Sequence, residues 1–210
     1  MNLLGSESEA RAFCAAQCND LAMQRFDTLI ELLKAENGRQ NLVSAKSLSH
    51  IWVRHIADSL QLLAYVPRET NVWLDLGSGA GFPGLALAVA RPQSAIRLVE
   101  SRAKRVIWLE QAIEALRLEH CTVIGSRLEA VDSFSAGVIC ARAFAPFDKL
   151  LSLSVRFSTP ETVWLLPKGR SAAQDLEQQP ARIREMFHVE QSLTDAEAGI
   201  LVGTGRPSVR

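Results

Sequence analysis

Val72–Gly84, with the sequence VWLDLGSGAGFPG, runs from an apolar stretch into a glycine-rich turn. Residues 72–76 are short, apolar and followed directly by glycine, which is typical of a buried parallel strand. The apolar residues 85–90 predict a helix packed on the same sheet. Glycines in such a turn let the backbone bend sharply and approach a ligand closely. The stretch therefore predicts a strand, a turn and a helix that together bind a nucleotide-like cofactor.

The spacing of the glycines fits two classes of cofactor. Gly79, Gly81 and Gly84 match the dinucleotide pattern G-x-G-x-x-G. Asp75 adds a carboxylate beside the turn, which suits a ligand carrying an ammonium and a sulfonium and would repel a pyrophosphate. This second pattern resembles motif I of the class I S-adenosylmethionine-dependent methyltransferases.

A second acid supports nucleoside binding. Glu100 ends the next predicted strand, about 20 residues beyond the turn, where a carboxylate accepts hydrogen bonds from ribose hydroxyls. Both cofactor classes use such an acid, so it does not choose between them. The alternative for Asp75 and Glu100 is that they cap turns or helices.

Alternating strands and helices predict an α/β protein. Residues 1–66 form a predicted N-terminal helical cap, and residues 67–210 form one compact cofactor-binding core. The alternation predicts a doubly wound, Rossmann-like sheet. The resemblance to motif I implies the class I methyltransferase form of that sheet, with seven strands and the last pair antiparallel. The predicted strands are 72–76, 95–100, 121–124, 137–141, 162–166, 187–190 and 199–202. The predicted helices are 7–18, 21–34, 48–63, 82–90, 102–118, 126–131, 147–157 and 171–179. Asn37-Gly38 is expected to end the second helix, and the tail from Gly203 to lie outside the sheet.

The composition limits which partners and which cell compartment are expected for this protein. The 210 residues include 23 Lys and Arg and 23 Asp and Glu, so the formal net charge is zero. A nucleic acid would therefore have to bind at a local basic patch. No run approaches the ~18 apolar residues that span a bilayer, and we expect a cytoplasmic protein without membrane contact. Four cysteines without paired C-x-x-C spacing indicate reduced thiols and no metal site.

Residues that follow the strands are candidates for the site, because ligands bind at the carboxyl ends of strands in such sheets. Arg142 follows the fourth strand, where burial is unfavourable unless the arginine is paired or faces a cleft. A site role is favoured for it over a structural salt bridge. Arg127 and Glu129 follow the third strand, with a surface helix as the alternative.

Two sets of polar residues can each be interpreted in two ways. Arg102, Lys104 and Arg105 begin a helix, where positive charge opposes the helix dipole; they contact phosphates or form a solvated face. Arg54 and Asp58 lie one turn apart, as do His55 and Ser59. An intrahelical salt bridge with a partly buried histidine explains them, as does a polar stripe facing the cleft.

Missing motifs narrow the chemistry. No Asn/Asp-Pro-Pro-Tyr tetrapeptide follows the fourth strand, which disfavours methylation of exocyclic amines. Cys140 lies within an apolar run and is interpreted as a core thiol, so covalent catalysis at cytosine C5 is disfavoured too.

The motifs together resemble the bacterial small-subunit ribosomal RNA methyltransferase G family, formerly called glucose-inhibited division protein B. They occur in the family's order: Asn41–Ser44, Arg54–Ser59, Asp75–Gly84, Lys104-Arg105, Arg142-Ala143-Phe144 and Lys168-Gly169. Two departures are Ala141, where the family usually has Ser, and Ala136-Gly137, where an acid is common.

The resemblance implies methyl transfer from S-adenosylmethionine to N7 of guanine 527 in the 530 loop of 16S rRNA. The partner is 16S rRNA, as naked RNA, an assembly intermediate or the small subunit, and no obligate protein partner is expected. Guanine N7 has an in-plane lone pair, so neither a base nor a covalent intermediate is needed. The resemblance implies cofactor contacts at Gly77, Phe82, Leu128, Glu129 and Arg142, the last also for positioning, beside Asp75, Gly79, Gly81 and Glu100. Candidate RNA contacts are Arg54, Arg102, Lys104, Arg105 and Lys168.

Three alternatives remain at this point. The first is a class I methyltransferase acting on another RNA, a small molecule or a protein. The second is a nicotinamide-binding Rossmann oxidoreductase, which leaves Asp75 unexplained. The third is a non-enzymatic rRNA-binding module, which would not need the cofactor glycines.

Overall fold

A seven-stranded sheet forms the centre of the protein in the computed structural model, which describes residues 3–67 and 69–208. The strand order is β3-β2-β1-β4-β5-β7-β6, with β7 antiparallel to both of its neighbours and the other strands parallel. The strands are β1 Val72–Leu76, β2 Ala95–Val99, β3 Cys121–Ile124, β4 Val138–Ala141, β5 Val163–Lys168, β6 Phe187–Gln191 and β7 Gly199–Thr204. This is the predicted fold. The order reverses between β1 and β4, so a crevice opens at their carboxyl ends.

Helices cover both faces of the sheet. The α-helices are α1 Glu7–Ala15, α2 Asp20–Gln40, α3 Ala45–Leu48, α4 Asp58–Leu60, α5 Gly84–Ala90, α6 Ala103–Leu116, α7 Phe147–Ser154, α8 Ala172–Glu177 and α9 Ala181–Arg184. A π-helical segment, Trp52–Ala57, precedes α4, and 3₁₀ turns lie at Gln61–Tyr65, Leu128–Ala130 and Val155–Phe157. No helix within the described residues is long and apolar enough to cross a membrane.

The N-terminal helices share a hydrophobic core with one face of the sheet. Phe26 and Leu29 of α2 are fully buried in the same cluster as Leu85 of α5 and Leu109 of α6. A second cluster, on the opposite face, contains Phe147 of α7. The predicted boundary at residue 66 thus divides the chain but not the core.

The cap helices differ from their predicted bounds. Helix α2 continues through Gly38 to Gln40, because Asn41 ends it in a left-handed conformation and the Asn37 side chain accepts a hydrogen bond from Val43 N. The continuous helix predicted at 48–63 is wrong. Helix α3 ends at Leu48, and a second helical segment begins where Glu7 accepts hydrogen bonds from the N–H groups of Trp52 and Val53.

Two further differences concern the core. The helix predicted at 126–131 is wrong. Only Leu128–Ala130 form a single 3₁₀ turn, which contacts α7. Gly203 lies in β7 opposite Trp164 rather than in a frayed tail, because β7 pairs with β5 as far as Thr204, which lies opposite Val163.

Candidate active site

The glycine-rich turn after β1 depends on conformations that favour glycine. Gly77, Gly79 and Gly81 have φ values of 65°, 57° and 99°. The N–H groups of Gly77 and Ser78 both donate to the Val99 carbonyl, at 2.8 and 3.1 Å. A Cβ atom on Gly77 would lie 2.6 Å from Cδ2 of Phe144. The turn is therefore held against β2 on one side and against an aromatic ring on the other.

Asp75 supports this turn from beneath. Its side chain is 1% exposed, and Oδ2 accepts a hydrogen bond from Gly84 N at the start of α5. Burial raises the pKa of Asp75 to about 6. The buried carboxylate faces the helix start and Cys140, as the capping alternative describes, and its direct contact with a cofactor stays a prediction.

Glu100 joins the turn to α6. Oε2 accepts from Gly79 N at 3.0 Å, and Oε1 accepts from Ser101 N and Arg102 N at 2.7 and 2.8 Å. A carboxylate oxygen has two lone pairs, so Oε2 keeps one position for a ligand hydroxyl. Capping and ligand contact are compatible at this residue.

Three cavities meet around the turn. The lateral cavity, of about 230 Å³, is lined by Glu100, the Leu128-Glu129 pair and Phe144, among others. The loop cavity, of about 440 Å³, follows residues 77–80 and Phe82 and reaches Arg142. The strand-end cavity, of about 380 Å³, lies beyond β4 and β5; its walls include Arg54, His55, Asp58, Ala141, Arg142 and Lys168. Among the described residues, Phe144 alone lines all three cavities.

Arg142 is held at the wall between the loop and strand-end cavities. Its Nη1 donates to the Arg54 carbonyl at 3.0 Å and to Asp58 Oδ2 at 3.2 Å, and Nη2 donates to His55 Nδ1 at 3.0 Å. The guanidinium also lies 5.6 Å from the centre of the Phe82 ring. Arg142 is thus both part of a salt bridge and exposed to the cleft, which unites the two roles that the sequence left open.

His55 is neutral and has its proton on Nε2. Guanidinium groups only donate, so Nδ1 must accept from Arg142. Burial, with the charges of Arg142 and Arg54, lowers the pKa of His55 to about 3. The ring stacks on Phe82, 4.9 Å between centroids. Within the described residues, Nε2 is the one buried side-chain nitrogen or oxygen atom without a hydrogen-bond partner.

Comparison with known proteins identifies the family. The family model for rRNA small subunit methyltransferase G matches residues 22–200. The chain belongs to this family. It is 57% identical to "Ribosomal RNA small subunit methyltransferase G" of Erythrobacter litoralis, over 97% of this chain and 99% of that protein. It is 52% identical to the protein of the same name from Novosphingobium aromaticivorans, over 95% and 89%.

A solved structure agrees on the fold. The crystal structure of precorrin-6y C5,15-methyltransferase from Geobacter metallireducens has a TM-score of 0.54 and 13% identity, over 80% of this chain and 92% of that chain. This likeness concerns the fold alone. Membership of the methyltransferase G family confirms the prediction of an S-adenosylmethionine-dependent methyltransferase.

The residues around the turn of this methyltransferase G family member fit that cofactor. The lateral and loop cavities join along Gly77, Glu100, Ser101 and Phe144, which leaves a continuous space for a nucleoside attached to an amino acid. A Cβ atom at position 77 would clash with the Phe144 ring, which lines this space. Leu128 is buried and Glu129 exposed at the far end of the lateral cavity. The geometry permits the predicted cofactor contacts, which stay predictions, at Gly77, Phe82, Leu128, Glu129 and Arg142.

The polar residues of the cap form a stripe that faces the cleft. Arg54 pairs with Asp195 at 2.9 Å, not with Asp58, so the intrahelical salt bridge is absent. Asp58 Oδ1 instead accepts from Gln61 and Thr194, at 2.9 and 2.7 Å. Thr194 and Asp195 were not predicted, because no local pattern marks the loop before β7 as part of the site.

The candidate RNA contacts fall into two groups. Lys168 pairs with Asp175 at 3.1 Å, and Arg105 donates to the carbonyls of Asn41 and Leu42. These two side chains hold the structure together. Arg102 and Lys104 are exposed, and their side chains have no partner within the described part of the chain.

Proposed function

We propose that this protein transfers a methyl group from S-adenosylmethionine to N7 of guanine 527, in the 530 loop of 16S rRNA, in the cytoplasm. Membership of the methyltransferase G family supports small-subunit rRNA as the acceptor. One observation in the structure supports the choice of N7: the ionisable side chains that line the strand-end cavity in the described part of the chain all have partners, which suits an acceptor that loses no proton.

Each potential base is accounted for. Nδ1 of His55 accepts from Arg142, and the pKa of this ring is lowered to about 3. Asp58 is paired with Arg142. Hydrogen bonds from Glu197 N and Arg54 lower the pKa of Asp195. Methylation of an amine or a hydroxyl group normally requires loss of a proton, whereas N7 offers a lone pair directly.

The step consists of one displacement. S-adenosylmethionine supplies an electrophilic methyl carbon bound to a sulfonium. The N7 lone pair would take this methyl group as the carbon–sulfur bond breaks, the positive charge would pass from sulfur to the purine, and no side chain of this protein would have to accept a proton. The protein has to hold the two partners in line and exclude water, which is the usual contribution of proximity and orientation. Arg142, fixed by three acceptors between the two cavities, is the residue best situated for this alignment.

The test is transfer of labelled methyl groups to small subunits from cells that lack the enzyme. Borohydride and aniline then cleave the RNA at N7-methylguanine, and primer extension locates the cut. We expect one cut, at guanine 527. Labelling at another nucleotide, or binding of S-adenosylmethionine without RNA labelling, would overturn the proposal and direct attention to a different methyl acceptor.

A further inference from the structure

Phe144 has an unusual place among the aromatic residues of this protein. It is half-buried, and it lines the lateral, loop and strand-end cavities at once. None of the aromatic pairs or cation–π contacts found within the described residues includes its ring. The ring packs partly against the second core cluster and is partly exposed where the cavities meet.

The backbone around Phe144 is built to hold the ring in this position. Ala143 has a φ of 55°, a conformation that is uncommon for residues other than glycine and that concentrates at functional sites. The ring packs over Gly77, where a Cβ atom would lie 2.6 Å from Cδ2. A strained residue and a glycine without space for a side chain therefore fix one aromatic ring against the cofactor turn.

The strand-end cavity suits a base taken out of its stack. It lies at the carboxyl ends of β4 and β5 and opens into the loop cavity along His55, Arg142, Ala143 and Phe144. Enzymes that modify a base commonly bind it in a pocket where an aromatic or apolar side chain stacks on it. Single-stranded loop bases are recognised in the same way.

We propose that Phe144 is the stacking surface for the acceptor base in the strand-end cavity. This inference rests on the proposed function, because it takes guanine N7 as the methyl acceptor. The N7 lone pair lies in the plane of the base, so the methyl carbon must lie in that plane too. A ring stacked on the face of the base fixes the plane and leaves N7 free. Methylation makes the purine cationic, and an aromatic face attracts a cation.

Three variants test the role of the ring. Phe144→Leu removes it, Phe144→Tyr keeps it, and Phe134→Leu is a matched control. Phe134 is also a half-buried phenylalanine packed on the second core cluster, but it lies beside Phe157 and Arg97, away from the turn. We expect Phe144→Leu to lower kcat/KM for small subunits about 5- to 150-fold, the range of one base–aromatic stack. Phe144→Tyr and Phe134→Leu keep kcat/KM within about threefold.

Two binding measurements separate stacking from a cofactor or folding role. By calorimetry, the Kd for S-adenosylmethionine should rise much less in Phe144→Leu than kcat/KM for small subunits falls, because the ring is only one of several walls of the cofactor space. A 530-loop hairpin RNA with 2-aminopurine at the acceptor position should lose fluorescence on binding wild type, through stacking, and should not do so with Phe144→Leu. A raised Kd for the cofactor with unchanged quenching would overturn the proposal.

The cleavage assay distinguishes failure of this inference from failure of the proposed function. If wild type methylates a different RNA base, the proposed acceptor, N7 of guanine 527, is wrong. The same variants are then measured with that base as the acceptor, and their kcat/KM values accept or reject the stacking role. If wild type labels no RNA, both proposals fall. If guanine 527 is the product and Phe144→Leu has wild-type kcat/KM, only the stacking role falls.

Discussion

Nη2 of Arg142 donates to Nδ1 of His55 across 3.0 Å, although 87 residues separate the two in the chain. The other acceptors of this guanidinium are the Arg54 carbonyl and the Asp58 carboxylate. All three therefore come from one short stretch of the cap, the π-helical segment Trp52–Ala57 and the residue after it. π-Helical turns occur frequently at functional sites. The cap thus sets the position of a side chain that the sheet carries.

Arg142→Lys should lower kcat/KM for methyl transfer to small subunits by about 10- to 150-fold. Lysine keeps the charge but lacks the planar fork that meets three acceptors, and one hydrogen bond from a charged group contributes about 1.5–3 kcal/mol. Arg11→Lys is the matched control, because Arg11 forms an exposed pair with Asp27. We expect the control to stay within twofold of wild type. Equal kcat/KM for Arg142→Lys and wild type would show that the fork is not needed.

Local patterns predicted the frame of the site. The glycine spacing of 72–84, the apolar strands and the alternation of strands with helices are properties of contiguous segments, and each element of the sheet formed where its segment predicted. The glycine turn is recognisable for the same reason, since the φ values of Gly77, Gly79 and Gly81 are set within the turn itself.

Pairings between distant segments were not predictable in this way. Asp58 and Arg54 are one turn apart, which favours an intrahelical pair, yet each finds a partner elsewhere, in Arg142 and in Asp195. The partners are chosen by how the cap packs on the sheet. Asp75 shows the same limit, because only burial distinguishes a carboxylate beneath a turn from one that faces the ligand.

Acidification from pH 7 to pH 5 should destabilise the folded protein by about 2 kcal/mol through His55. The pKa of this ring is lowered to about 3 in the folded state, against about 6.5 in the unfolded chain. Between these values the unfolded chain binds a proton that the folded protein does not, so stability is lost as the pH falls. Urea denaturation at both pH values, for wild type and for His55→Gln, measures the difference.

The comparison with His55→Gln isolates one group. Asp75 acts in the opposite direction, because its pKa is raised to about 6 in the folded state, and it is present in both proteins. The loss of stability between pH 7 and pH 5 should be about 2 kcal/mol larger for wild type than for His55→Gln. Equal losses would mean that His55 titrates alike in the folded and unfolded states.

Gly77→Ala should weaken binding of S-adenosylmethionine at least tenfold. The added methyl group lies 2.6 Å from the Phe144 ring and φ is 65°, so both the ring and the turn must shift. Gly38→Ala is the control: its Cβ atom meets nothing within 4 Å in the last turn of α2, and helix propensity predicts a stabilisation of about 0.5–1 kcal/mol. Calorimetry and thermal unfolding measure both. An unchanged Kd for Gly77→Ala would remove the turn from the cofactor site.

The salt dependence of RNA binding should identify which basic side chains contact RNA phosphates. Arg102 and Lys104 are exposed beside the loop cavity without partners in the described residues, whereas Arg105 and Lys168 are engaged within the protein. Replacing Arg102 and Lys104 together by Gln should reduce the slope of log Kd against log salt by about 1.4–1.8, since each phosphate contact contributes about 0.7–0.9. Lys34→Gln, which breaks an exposed pair on α2, should leave the slope unchanged. Equal slopes for the double variant and wild type would assign the RNA surface to other side chains.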